Sequence, residues 1–203
     1  MSAFLGPIHF WLYNKIKIQN KIVEDILDLQ LVISSEIRER INVKYGDGEL
    51  KPLDEVIDED NIHKWLQNQI SKVEYKLAES VTEAIKNEAD NIEDIKEVFK
   101  LNGERYSPLD KNSGIEEAFK AINDTLLDGM PCDHINAIVK QDKNEAVWKR
   151  YECVHCKYWD EFNSDVRVFY ILRDEFIKGL LHSTNIKYKK LNDTTYKILR
   201  IDL

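Results

Sequence analysis

Glycine and proline are scarce, with seven and four residues in a chain of 203. A chain so short of turn formers, and rich in Leu, Ile, Lys and Glu, favours long amphipathic helices over many short strands. Cysteine is scarcer still: there are three, an odd number. The first residues lack the positive cluster of a secretory signal, so the cysteines point to a reducing interior with thiols free for metal or redox work. No apolar run approaches a membrane span, and Phe4–Tyr13 is too short to be one. The expectation is a soluble, cytoplasmic protein without stable membrane insertion. Phosphate-cradling glycine loops and His-Glu-x-x-His are also missing, which sets aside ATP-dependent and zincin chemistry.

Charge is abundant and unevenly placed. The net charge is −8; residues 131–203 hold 13 basic against 11 acidic side chains, and residues 1–130 hold 16 against 26. An acidic body repels phosphate backbones, so nucleic acid is not an expected partner. Lys187, Lys189 and Lys190 read as protection of a strand edge. Lys15 and Lys17 lie in the opening helix, but its acidic continuation argues against anionic lipid.

Gly6-Pro7 opens the first helix, because proline at the first helical position has no donor to leave unpaired. Apolar residues then repeat at spacings of three and four, first Ile8, Trp11 and Leu12, then Ile22, Ile26, Leu29, Ile33, Ile37 and Ile41, as one stripe. Unbroken, that helix would be roughly 50 Å long. Gly46-Asp47-Gly48 and Pro52 punctuate the chain. A second long helix starts near Asp60 or Asn61, with Ile62, Leu66, Ile70, Val73, Leu77, Val81 and Ile85 on its stripe. A shorter helix runs to an Asn102-Gly103 cap, and Ser113-Gly114-Ile115-Glu116 has the pattern of a capping box.

Asn144–Phe162 is ambiguous. Val147, Tyr151, Val154 and Tyr158 recur at helical spacing, which favours a helix. Val147, Tyr151 and Cys153 also suit one side of a strand, with Ile135–Val139 as its partner. The next helix carries Phe169, Leu172, Phe176 and Leu180. Its Gly179 costs about 1 kcal/mol against alanine and marks a close approach of another backbone. Ile186–Leu191 and Thr194–Ile201 read as a hairpin across Asn192-Asp193.

The expected fold is mainly α. Residues 1–130 form a long-helix antiparallel bundle. Residues 131–203 add a Cys/His-bearing segment, a helix and a terminal β-hairpin, in one compact unit with the bundle. The alternative is α+β, with a small antiparallel sheet in the C-terminal third.

The sharpest constellation is Cys132-x-His134, eighteen residues, then Cys153-x-x-Cys156. Three sulfurs and one imidazole suit tetrahedral zinc, with His155 as the alternative nitrogen ligand; iron is the other candidate metal. The same Cys153-x-x-Cys156 also reads as a redox pair cycling between dithiol and disulfide. A third reading makes the cysteines small buried hydrophobes. Secondary candidates are His9 and His63, each opening a long helix beside a tryptophan, with Glu175 and His182 seven residues apart. The Glu-x-x-His repeat of di-iron bundles is missing, so packing histidines with one hydrogen bond each account for these better.

Two classes of function follow. One is a metal or thiol sensor, or a small-ligand binding protein, built on Cys132, His134, Cys153 and Cys156. The other is a helical interaction module, associating with itself as a homo-oligomer, whose cysteines only pack. Nothing in the sequence assigns a catalytic residue.

Overall fold

The computed structural model describes residues 4–29, 32–48 and 50–201. Among them the chain forms eight α-helices and one four-stranded antiparallel sheet, which lies in the C-terminal third. The mainly α form and its α+β alternative thus both describe it. The chain divides into two compact units interleaved in sequence: Met1–Ile95 with His155–Val166, and Lys96–Val154 with Arg167–Leu203. Residue 130, the boundary expected from the sequence, falls inside the second unit.

The first unit is built on α1 (Pro7–Leu27) and α4 (Ile62–Asn87). Around them lie α2 (Ser35–Tyr45), the one-turn α3 (Leu53–Val56) and α7 (Cys156–Asp160). The opening helix stops at Leu27 instead of running to Ile41. Ser34 ends any continuation: its Oγ accepts the Ile37 N–H at 3.4 Å and starts α2. Ile26, Ile33 and Ile41 are still buried, so the stripe follows a bend. α4 begins as expected, with Asn61 Oδ1 accepting the Lys64 N–H at 3.4 Å. Leu66, Leu77 and Val81 on its stripe are fully buried, worth about 1.5–3 kcal/mol each.

Side-chain pairs run in step along α1 and α4: Tyr13 meets Trp65, Gln19 meets Glu74, and Glu24 meets Lys76. These two helices are therefore parallel. Residues 28–61 return the chain, and α2 within them runs antiparallel to α4, through Arg40–Glu83 and Lys44–Glu79, each at 2.6 Å. The antiparallel order expected of the long helices holds for α2 on α4 and not for α1 on α4. A connection that long can carry the chain back, which a short loop cannot.

The second unit contains most of α5 (Asn91–Arg105), then α6 (Ile115–Thr125), β1 (Asn136–Gln141), β2 (Glu145–Arg150), α8 (Arg167–Leu180), β3 (Ile186–Lys190) and β4 (Thr195–Arg200). The strand order is β1-β2-β4-β3. The helix expected over 144–162 is a strand in its first part and the short α7 near its end. Ala146 and Trp148 of β2 are buried, opposite Ile198 and Tyr196 of β4. Trp148 is the hub of this face, with ring centres of Tyr196 at 5.7 Å and of Phe119, from α6, at 5.3 Å. The terminal hairpin forms as read, and Asn192 Oδ1 accepts the Thr194 N–H in its loop.

Gly103 does not cap α5 but lies inside it. A Cβ there would sit 2.1 Å from the Phe176 carbonyl oxygen, and one on Gly179 would sit 2.0 Å from that of Lys100. The two glycines let α5 and α8 touch backbone to backbone, the close approach that Gly179 signalled. α6 starts one residue later than the expected box: the Glu117 carboxylate accepts the Gly114 N–H at 2.7 Å.

Candidate functional site

The segment Cys153-Val154-His155-Cys156 lies between the end of β2 and the start of α7. Cys153 and Cys156 are joined as a disulfide, and both are half-buried. His155, between them, is fully buried. Its Nδ1 is 3.0 Å from Glu74 Oε2, and Glu74 Oε1 accepts a hydrogen bond from Gln19 Nε2 at 2.9 Å. Glu74 is itself 1% exposed. A carboxylate only accepts, so with Glu74 ionised the hydrogen of the 3.0 Å bond sits on Nδ1. Burying a carboxylate costs several kcal/mol unless donors surround it. Gln19 and His155 supply them, both held on elements of the first unit.

Cys153 has its own polar neighbours. The Tyr170 hydroxyl, on α8, donates to Cys153 Sγ at 3.3 Å. The Arg150 guanidinium lies 4.1 Å from the centre of the Tyr170 ring. Its Nη2 donates to the Asp193 carbonyl at 3.0 Å and its Nη1 to that of Glu152 at 3.4 Å. Arg173, on the same helix as Tyr170, pairs with Asp128 at 2.6 Å.

The other expected ligands are elsewhere engaged or exposed. Cys132 is a free, exposed thiol on the single turn Pro131–Asp133. His134 follows it in the left-handed region, at φ 49°, and is exposed. Among the described residues no group of three or more His, Cys, Asp or Glu side chains is placed to hold a metal ion. Cys132, His134, Cys153 and Cys156 are therefore not gathered as a ligand set, and the disulfide leaves two of them without a thiolate.

His9 and His63 do meet, ring edge to face, with centres 5.6 Å apart. His9 Nδ1, however, accepts the Gly6 N–H at 2.9 Å and so caps α1. That use of the lone pair leaves the proton on Nε2, which makes His9 a donor there and not a ligand. Burial, and after it the neighbouring His63, hold His9 below the usual imidazole range. Glu175 pairs with Lys178 at 2.6 Å on α8, and His182 is exposed just beyond that helix. In the first unit a cleft is lined by Asn20, Tyr45, Asp47, Lys72 and Lys76. Lys76 is already engaged there by Glu24 and the Gly46 carbonyl.

Glu74, Gln19, Tyr170 and Arg150 were not singled out from the sequence. Two of them carry a readable signal. Glu74 stands four residues after Ile70 and three before Leu77, and Gln19 stands three after Ile16 and four before Val23. Both interrupt an apolar stripe at an inward position.

No model of a protein family matches this chain, and comparison with curated proteins and with solved structures gives no match either.

Proposed function

We propose that the protein is a thiol–disulfide redox protein, a sensor of oxidising conditions whose working couple is Cys153 and Cys156. The observation that carries this is the closed Cys-x-x-Cys ring with a buried, carboxylate-anchored His155 inside it. Closing a loop of four residues constrains the unfolded chain by only about 2 kcal/mol, less than the longer loops of structural disulfides. Stapling is therefore a weak reason for the pair, and reversible chemistry is a stronger one. The exposed free thiol of Cys132 supports the same setting, a reducing compartment such as the cytoplasm where disulfides are transient.

The step is a two-electron exchange. A small or protein-borne dithiol delivers two electrons and two protons to the ring, the Cys153–Cys156 bond breaks, and the reductant leaves as a disulfide. The His155–Glu74 bond takes no part in the exchange, since neither side chain gives or receives electrons in it.

Thiol counting by alkylation and intact mass tests the reading. Protein purified without reductant should carry one reactive thiol, and the folded protein after dithiothreitol should carry three. Three thiols that persist through oxidised glutathione would overturn it and leave the second class, a self-associating helical module, marked by concentration-dependent mass. Zinc added to the reduced protein decides the metal reading: one equivalent, shielding the thiols, would extend the site to Cys132 and His134.

A further inference from the structure

We infer that Cys153, and not Cys156, is the nucleophilic thiol of the reduced pair, and that Tyr170 and Arg150 set its reactivity. This deepens the redox reading and rests on it.

The Tyr170 hydroxyl points at Cys153 Sγ from 3.3 Å. A disulfide sulfur is a weak acceptor. A thiolate in its place would receive a charge-assisted hydrogen bond, roughly twice as strong as a neutral one. The donor is always ready, because burial, opposed by Arg150 and Arg173, pushes the Tyr170 hydroxyl up to about 12.

Arg150 supplies the charge. It is 8% exposed, and its two Nη groups go to the neutral carbonyls of Asp193 and Glu152. It makes no ion pair among the described residues, and its buried Nε has no hydrogen-bond partner there. Asp128, the nearby carboxylate, is taken by Arg173 and Asn136. A buried cation without a counter-ion, stacked on the phenol that faces Cys153, favours an anion on that sulfur. Tyr196 and the Arg173–Asp128 pair also act on Tyr170.

The chemistry follows from this. The Cys153 thiolate attacks a sulfur of an incoming disulfide, forms a mixed disulfide and expels one thiolate, which takes up a proton. The Cys156 thiol then loses its proton, attacks Cys153 Sγ and expels the second thiolate. Two electrons and two protons pass to the substrate, and the ring closes. The half-buried Cys153 is reachable for a small disulfide such as oxidised glutathione. Arg150 acts through Tyr170 and is a positioning residue.

The test is thiolate titration at 240 nm on reduced protein in a Cys132→Ser background. With Cys156→Ser the remaining thiol should titrate at least one unit below the ordinary value of about 8.5. Tyr170→Phe, which keeps the ring under Arg150, should move it back toward that value. Alkylation at pH 7 should then slow about threefold, since the loss of thiolate outweighs the gain in intrinsic nucleophilicity. Cys153 titrating at or above 8.5, or an unchanged profile in Tyr170→Phe, would overturn the assignment. Should Tyr170→Phe unfold, the pH profile of alkylation of each cysteine in the reduced unvaried protein decides, with Cys153 expected to react first. A failed redox reading looks different: the unvaried protein would never form the disulfide in oxidised glutathione, whatever its thiols titrate at.

Discussion

His155 and Glu74 stand 81 residues apart in sequence and 3.0 Å apart in space, each about 1% exposed at its side chain. No helical period links them; α7 docking on α4 does. Glu74→Ala should cost about 3 kcal/mol of stability in urea unfolding, because the donors of His155 and Gln19 would remain buried without an acceptor. Glu74→Gln keeps the shape and should cost less. A loss under about 0.5 kcal/mol for Glu74→Ala, the range of an ordinary surface change, would mean that this bond does not hold the loop.

The α5–α8 contact makes a sharper steric prediction. Gly179→Ala puts a methyl group 2.0 Å from the Lys100 carbonyl oxygen, against backbone that cannot swing aside. The helices must separate, and the expected loss is about 3 kcal/mol by thermal or urea unfolding. Gly114→Ala is the control. Its nearest neighbours, the ends of Glu117 and Arg200, are 3.8 and 3.9 Å away, so only the loss of a preferred cap residue is expected, under about 1 kcal/mol.

Those glycines also show what the sequence could and could not say. Gly179 was legible as a close approach because glycine inside a strong helical stripe needs a reason. Gly103 looked like a cap beside Asn102, and only the facing helix shows why it is interior. The α4 stripe and the terminal hairpin were legible because their signals are local. β2 was legible only as the alternative to a helix, and with Val147 and Tyr151 on the expected inner side: its buried face, Ala146 and Trp148, is set by pairing with β4, some fifty residues later. The pairing of Cys153 with Cys156 was legible as one of three readings. Glu74 showed only as a break in the apolar stripe of α4, and Tyr170 was hidden, since partners on distant helices leave no spacing to read.

His9 makes the stability depend on pH. Its folded pKa is lowered, first by burial and then by His63 of α4 facing it, so the unfolded chain binds the proton more tightly. The stabilisation is fully present above the unfolded value of about 6.5 and is lost as pH falls through the folded one. Protonation also removes the lone pair that accepts the Gly6 N–H. Urea midpoints should fall between pH 7.5 and pH 5, and His9→Asn should remove part of that fall. A variant with an undiminished pH dependence would assign it to other groups.

The central claim is that the Cys153–Cys156 ring opens and closes under cellular conditions, and its equilibrium with glutathione measures this directly. Folded protein equilibrated across reduced-to-oxidised glutathione ratios, quenched and alkylated, should show a reversible two-electron transition with a midpoint above about −300 mV. A ring that stays closed at every ratio, or a pair that stays reduced in oxidised glutathione alone, would contradict the account.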